Sequence, residues 1–237
     1  MYKEIKRNEG QIIIDDTNYF YKRNDAYVEV LGGKIADLFN LKHVYYKPIE
    51  VDNKNYYLSK DLNTIGDFTT ALDMGIESHN LDDIRDFILI NYPEDFDRLM
   101  DDIMKMYFMD LLTLNIDRRN DNWGILIKDN KPSIYLLDND LCFIHNDSVM
   151  TSLKDNANRD SLLEIENIYD NFPFEYINMF DNMYALLDNQ KLQELIIETE
   201  DDIGKELPYK EDYLKRFDLL RYHTKKIKQR DKKRLIR

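Results

Sequence analysis

Residues 114–126 read LNIDRRNDNWGIL, with two aspartates, three asparagines and two arginines set between a helical pattern and an apolar run. Asn and Asp supply turn hydrogen bonds and tolerate unusual backbone angles, so a solvent-exposed turn uses one or two of them. This stretch has more than a turn requires. Directly before it, FDRLMDDIMKMYFMDLLTL carries apolar residues at helical spacing. Directly after it, WGILIK and SIYLLD are short apolar runs separated by Asp129, Asn130, Lys131 and Pro132, which predicts a hairpin that ends on a carboxylate, Asp138. Such a hairpin folds Asp138 back toward Asn122.

Farther upstream, QIIIDDTNYFYKR predicts another hairpin, Ile12 to Ile14 against Tyr19 to Tyr21, with Lys22 ending its second strand. Val28, Leu31, Ile35, Leu38 and Phe39 then recur at helical spacing behind a cap at Asn24 or Asp25, placing Glu29 in the first turns of that helix. HVYYKPIEV and KNYYLSK flank Asp52 and Asn53 as a further hairpin. From Gly66 onward the pattern reads as largely helical, and residues 160–237 read as mostly helical too. The expected architecture is α+β in two lobes. Residues 1–62 form a small mixed N-lobe of strands plus one helix, and residues 63–237 a mainly helical C-lobe carrying the polar loop and its hairpin.

The 237 residues suffice for one domain or for two lobes, and 7 glycines with 5 prolines leave little room for flexible linkers. A net charge of -13 repels nucleic acid and anionic membranes, so a polyanionic substrate needs a metal or local basic residues. MYKEIKRNEG lacks the apolar core of a signal peptide, and no apolar run approaches membrane-spanning length. A single cysteine, Cys142, excludes an internal disulfide framework. The expected compartment is the cytoplasm, with no membrane partner.

Asp117 and Asn122 have four residues between them, the D-x-x-x-x-N spacing of a kinase catalytic loop. Phosphoryl transfer needs a carboxylate to orient the attacking hydroxyl, and an amide oxygen plus a second carboxylate to hold the magnesium that bridges the phosphates. Asp117, Asn122 and Asp138 fit those roles in that order, with Asp140 the alternative metal ligand. Lys22 at a strand end and Glu29 in the next helix fit a phosphate-binding lysine and its ion-pair partner. The D-x-x-x-x-N spacing alone is weak in a chain this rich in Asp and Asn. The ordered series of strand lysine, helix glutamate, long helix, polar loop, hairpin and aspartate is more specific.

NIDRRNDNWGILI is similar to the N-x-D-x-H-x-x-N catalytic loop of the HipA-like serine/threonine kinases, the toxin-kinase branch of the protein-kinase-like fold, with Asn115, Asp117 and Asn122 matching. YFYKRNDAYVEVLGGKIADLFNL resembles that family's nucleotide-binding lysine and glutamate helix, and YLLDNDLCF its metal-aspartate segment. The resemblance covers residues 8–145. It implies a two-lobed kinase fold in reduced form, with ATP and magnesium as cofactors and a protein substrate, and it allows an antitoxin partner. Lys22 and Glu29 would then serve the phosphates, and Tyr57, Leu58, Ser59 and Asp61, within Tyr57 to Leu62, the adenine site. Asp117 would be catalytic, and Asn122 and Asp138 metal ligands.

Three departures stand out: Arg119 replaces the family's usual His, Arg7 to Asp16 holds neither a glycine-rich phosphate loop nor the serine some members phosphorylate in themselves, and the larger N-terminal subdomain has no counterpart. Ser148, Thr151 and Ser152 are the candidate autophosphorylation sites, in a loop over residues 139–160.

Each residue also has a structural reading. Asp117 and Asn122 could simply turn a loop, Asp138 could end a strand, and Lys22 and Glu29 could be a solvated lysine and a favourable early-helix acid. His43 and His79 lack ligand spacing and read as surface or helix-end residues. Cys142 and the methionines of MDDIMKMYFMD read as core. The tail KKIKQRDKKRLIR, with eight basic residues, reads as a solvated helix end, and nucleic acid is not expected except through it. A small-molecule phosphotransferase of the aminoglycoside- or choline-kinase kind and a catalytically silent kinase-like binding module are the alternative functions.

Overall fold

The computed structural model describes residues 5–8, 11–14, 17–23, 27–51, 54–77, 81–113, 115, 118–139, 174–208 and 210–235. By backbone packing the chain divides into two compact units, Met1–Ile103 with Arg118–Asp140, and Met104–Asp117 with Leu141–Arg237. The expected lobe boundary after residue 62 falls inside the first unit.

In the first unit, β1 (Ile5–Asn8), β2 (Gln11–Ile14), β3 (Thr17–Arg23), β5 (Lys47–Val51) and β6 (Lys54–Lys60) form an antiparallel sheet in the order β1-β2-β3-β6-β5. Alternation along a strand sends every second side chain to one face. On that face Ile12, Ile14, Ile49, Tyr56 and Leu58 make a core cluster, with Tyr19 and Tyr21 packed against it. The Tyr21 and Tyr56 rings meet edge to face, 5.4 Å between centroids. Helix α1 (Tyr27–Leu38) follows β3 and buries Tyr27, Val28, Glu29, Leu31 and Ile35.

The second sheet runs β4-β9-β8-β7, with β4 (Lys42–His43), β7 (Asp67–Thr70), β8 (Trp123–Lys128) and β9 (Lys131–Leu136). The predicted hairpin is β8-β9, paired antiparallel with Trp123 opposite Leu136. β7 corrects the helical reading after Gly66. Asp67–Thr70 is too short to show a period, and its strand character comes from pairing with β8, which sequence neighbours do not reveal. His43 is likewise not a surface residue. It is buried on β4, with Nδ1 2.9 Å from the Val44 carbonyl oxygen and Nε2 3.2 Å from Asp37 Oδ1.

Helix α2 (Leu81–Asn91) precedes α3 (Phe96–Thr113). α3 starts in the first unit, where Arg98 donates to the Pro132 carbonyl on β9 at 2.7 Å, and continues into the second. There Phe108 meets Phe180 of α4 (Phe174–Leu186) at 5.1 Å. Helix α5 (Asn189–Ile203) is capped by the Asp188 side chain accepting from the Lys191 N–H, and ends on Gly204 at φ +68°. Helix α6 (Lys210–Leu235) is tied to α4 by Arg221, which donates to the Leu187 carbonyl at 2.6 Å and lies over the Tyr184 ring. Among the described residues no helix is long and apolar enough to cross a membrane.

The β7-β8 contact depends on Gly124, because a Cβ there would sit 2.3 Å from the Thr69 carbonyl oxygen. The obstacle is backbone and cannot rotate away. Gly124→Ala is therefore expected to lower unfolding free energy by roughly 2–3 kcal/mol, read as a reduced urea midpoint at unchanged slope. An unaltered midpoint would show that the two strands do not approach this closely.

Candidate functional site

The site begins with a buried carboxylate. Glu29, in the first turn of α1, is 1% exposed, and a charge so far from water needs a partner at each oxygen. Oε1 pairs with the Lys22 ammonium from the end of β3, and Oε2 accepts the backbone N–H of Asn139 at 2.8 Å. Lys22 also meets Asp138 Oδ2 at 2.8 Å, so the ammonium stands between two carboxylates with the Tyr46 ring 5.5 Å away. Lys22, Glu29 and Asp138 are thus brought together from residues 7 to 116 positions apart.

The segment after β9 is held by a residue the sequence reading passed over. Arg118 donates to the Asn122 and Asp138 carbonyls at 3.1 and 2.6 Å, and to Asn139 Oδ1 at 2.7 Å. The Leu137 N–H donates to the Asn122 carbonyl at 3.0 Å, which closes the base of the hairpin and sets Asp138 beside Asn122. On the other side, Asn139 packs against α1 at Gly32, where a Cβ would lie 2.6 Å from Asn139 Cβ. Glycine costs about 1 kcal/mol inside a helix. Here it gives Asn139 the close approach from which its N–H reaches Glu29.

Beside the cluster lies a cavity of about 510 Å³, within the size range of ligand sites. Its apolar wall is Val44, Leu62, Phe68 and Leu137, part of a core cluster completed by Leu126, Tyr46 and Tyr135. Its polar lining includes Lys22, Ser59, Lys60, Asp61, Thr70, Asp73, Asp121, Asn122 and Asp138. Of the predicted adenine-site residues, Ser59 and Asp61 line the cavity, and Asp61 also caps the 3₁₀ turn Leu62–Thr64 by accepting from the Asn63 N–H at 2.9 Å. Tyr57 and Leu58 do not line it. Leu58 points into the sheet core, and Tyr57 is buried opposite Lys22 in register. The apolar wall was illegible because its residues come from four separate segments.

Asp117 and Asp140 lie outside the described residues, as do Asn24, Asp25, His79, Cys142 and Ser148, Thr151 and Ser152. Next to Asp117, Asn115 is buried and donates to Asp110 Oδ1 at 3.0 Å, while its N–H donates to the Asp110 carbonyl at 2.9 Å. Arg119, in place of the family's histidine, pairs with Asp121 at 3.0 Å on the surface. Asn120 is structural: it donates to the Ile76 carbonyl at 2.6 Å and accepts from the Trp123 indole at 3.3 Å.

The electrostatics follow from crowding two acids around one base. Burial alone would lower the Lys22 ammonium, but Glu29, Tyr46 and Asp138 outweigh it and hold the group well above the usual lysine range. Burial first, and then the Asp138 charge, push the Glu29 carboxyl up to about 8 against the opposing pull of Lys22. Burial and then the Glu29 charge raise the Tyr46 phenol, whose O–H donates to the Leu137 carbonyl at 3.1 Å. Crowding two carboxylates around Lys22 thus strengthens the hold of Glu29 on its proton.

A small sheet-bearing lobe with one helix behind its lysine strand, and a helical lobe, define the two-lobed protein-kinase-like fold. In structure the chain is similar to the Helicobacter pylori proinflammatory kinase CtkA, with a TM-score of 0.63 at 19% identity over 95% of this chain and 92% of that one. It is also similar to HipA of the Shewanella oneidensis MR-1 toxin–antitoxin system, solved with HipB and its operator DNA, with a TM-score of 0.54 at 10% identity over 92% of this chain and 58% of that one. No family model matches the chain, and no curated protein matches it in sequence. At these identities the likeness speaks for the fold.

Because Glu29 binds its proton more tightly folded than unfolded, the native state carries more protons between the ordinary carboxylate range and about pH 8. Stability should be greatest below that window and decline as pH rises through it. The thermal midpoint is expected to fall by roughly 3–8 °C from pH 5 to pH 8, and Glu29→Gln should flatten the decline. A wild-type midpoint that rises over this range would mean Glu29 is held ionised.

Proposed function

We propose that this chain is an ATP- and magnesium-dependent phosphotransferase that transfers the γ-phosphate to a serine or threonine hydroxyl of a protein, in the manner of the HipA-like kinases. The observation that carries this reading is the convergence of Lys22, Glu29 and Asp138 beside Asn122 on a cavity with an apolar wall. Lys22 would hold the phosphates with Glu29 fixing its position, and the wall of Val44, Leu62, Phe68 and Leu137 would take the adenine, with Ser59 and Asp61 at its polar edge. Asp117 would orient the acceptor hydroxyl and take its proton.

Magnesium suits the donor set, since Asn122 and Asp138 both line the cavity and offer hard oxygen ligands. Among the described residues no cluster of three His, Cys, Asp or Glu side chains could hold a metal alone. An ion here would therefore complete its shell with phosphate oxygens and water, as magnesium commonly does. When bound, it would neutralise the charge shared between the phosphates.

HipA was solved with HipB, and by analogy an antitoxin partner belongs to the proposal, as does a cytoplasmic setting where ATP and protein substrates meet. Asp73 and Asp121 on the cavity lining support a second reading, a small cationic acceptor in place of a peptide. Incubation with labelled ATP and magnesium, alone and with lysate, followed by mass spectrometry separates the two. Phosphate on Ser148, Thr151, Ser152 or a lysate protein is expected, and phosphate only on a metabolite would favour the second.

Asp117→Asn and Asp138→Ala should each lower transfer by about 10²–10³-fold, with Asp117→Asn leaving the thermal midpoint nearly unchanged. Transfer at the wild-type rate in both variants would end the mechanism.

Nucleotide binding followed by calorimetry should need magnesium, because the polyphosphate enters beside Asp61, Asp138 and Asp121. Equal affinity with and without the metal would contradict the site.

A further inference from the structure

Strand β3 presents Phe20 to the cavity. Alternation along the strand sends Tyr19 and Tyr21 to the core face, where they pack against the cluster of Ile12, Ile14, Ile49, Tyr56 and Leu58. Phe20 and Lys22 take the opposite face, and both line the cavity. On that face the cross-strand partners of Phe20 are Gln11 of β2 and Ser59 of β6, neither of which has an apolar side chain to lay over a ring. Ser59 is buried, yet Phe20 remains 43% exposed. A lone exposed phenylalanine on an open surface needs no explanation. This one belongs to a cavity lining, two positions before the lysine that Glu29 and Asp138 hold.

We infer that Phe20 is the stacking platform for the base of the bound nucleotide, and that the site therefore prefers a purine to a pyrimidine. The inference rests on the proposed nucleotide site and adds to it a residue and a selectivity. Residues two apart on one face of a strand lie about 7 Å from each other. A flat apolar ring and a fixed ammonium at that separation suit a ligand that carries a planar ring and an anionic group in one molecule. A base laid on Phe20 covers apolar surface that Gln11 and Ser59 leave exposed, and the two fused rings of a purine cover more of it than the single ring of a pyrimidine. Ser59 contributes by being short, since a larger side chain opposite Phe20 would take the space the base needs. Stacking responds to ring area and not to the donors and acceptors at the ring's edge, so Phe20 separates ATP from CTP but not ATP from GTP.

The test is calorimetry on the full chain in the presence of magnesium, with ATP, CTP and inorganic tripolyphosphate as titrants. Phe20→Ala should weaken ATP binding by roughly 5- to 100-fold and narrow the preference for ATP over CTP. It should leave tripolyphosphate binding within about twofold, because the phosphates meet Lys22 and not the ring. Phe20→Leu keeps an apolar side chain in the strand without the ring, which guards against a folding defect, and it should still lose about fivefold or more for ATP. Phe20→Trp should bind ATP nearly as wild type does. Its added fluorescence, measured against that of Trp123, the chain's one native and buried tryptophan, should be quenched by ATP and not by tripolyphosphate.

A wild-type protein that binds neither ATP nor tripolyphosphate would end the nucleotide reading and the inference with it. ATP bound by wild type and equally well by Phe20→Ala would overturn the inference alone. So would an equal loss of ATP and tripolyphosphate, which would make Phe20 a structural residue of β3. Phe20→Leu at wild-type affinity for ATP would reduce the ring to plain apolar cover and overturn the stacking.

Discussion

Nearly everything at the candidate site depends on how the Glu29 carboxylate is kept out of water. Removing such a group from solvent costs several kcal/mol unless its oxygens are matched by donors. Here one donor is a side chain from β3 and the other a backbone N–H from the segment after β9. Two pieces of chain far apart in sequence are thereby held to one helix. Neither contact can form unless α1 sits at a set depth against both, and it is Gly32 that lets the Asn139 segment come so close.

Arg118 plays the complementary part on the far side of that segment. A guanidinium presents its donors in a fixed planar fork, so it can bind several acceptors at once without conformational search. Its acceptors are two carbonyls and an amide oxygen, all on the chain that positions Asn122 and Asp138. The loop is thus ordered from its own backbone outward, and the polar excess of LNIDRRNDNWGIL divides accordingly. Arg118 and Asn120 brace the loop, Arg119 and Asp121 pair at its surface, and Asn122 faces the cavity.

Much of this was legible in the sequence, and what was not has a physical cause. The β2-β3 and β8-β9 hairpins and helices α1 and α3 announce themselves through local periodicity, which depends only on neighbouring residues. The Lys22–Glu29 pair could be read because both members lie within one strand-to-helix unit. β7 escaped because four residues carry no period, and its pairing with β8 spans more than fifty positions. Tyr57 and Leu58 were expected at the adenine site along with the rest of the segment to Leu62, yet they do not line the cavity. Burial on the sheet's core face, which claims Leu58, is decided by the neighbouring strands. Arg118 gave no signal either, since an arginine in a polar loop reads as solvated until its acceptors are in place.

The charge of the cavity lining decides what can enter it. The cavity has Lys22 and Lys60 against Asp61, Asp73, Asp121 and Asp138, so it is acidic before any ligand enters. A polyphosphate brought there under the proposed reading would face carboxylates already competing for Lys22. Asp138 would have to exchange its ammonium partner for something of higher charge, and a divalent ion does so while freeing Lys22 to meet the phosphates.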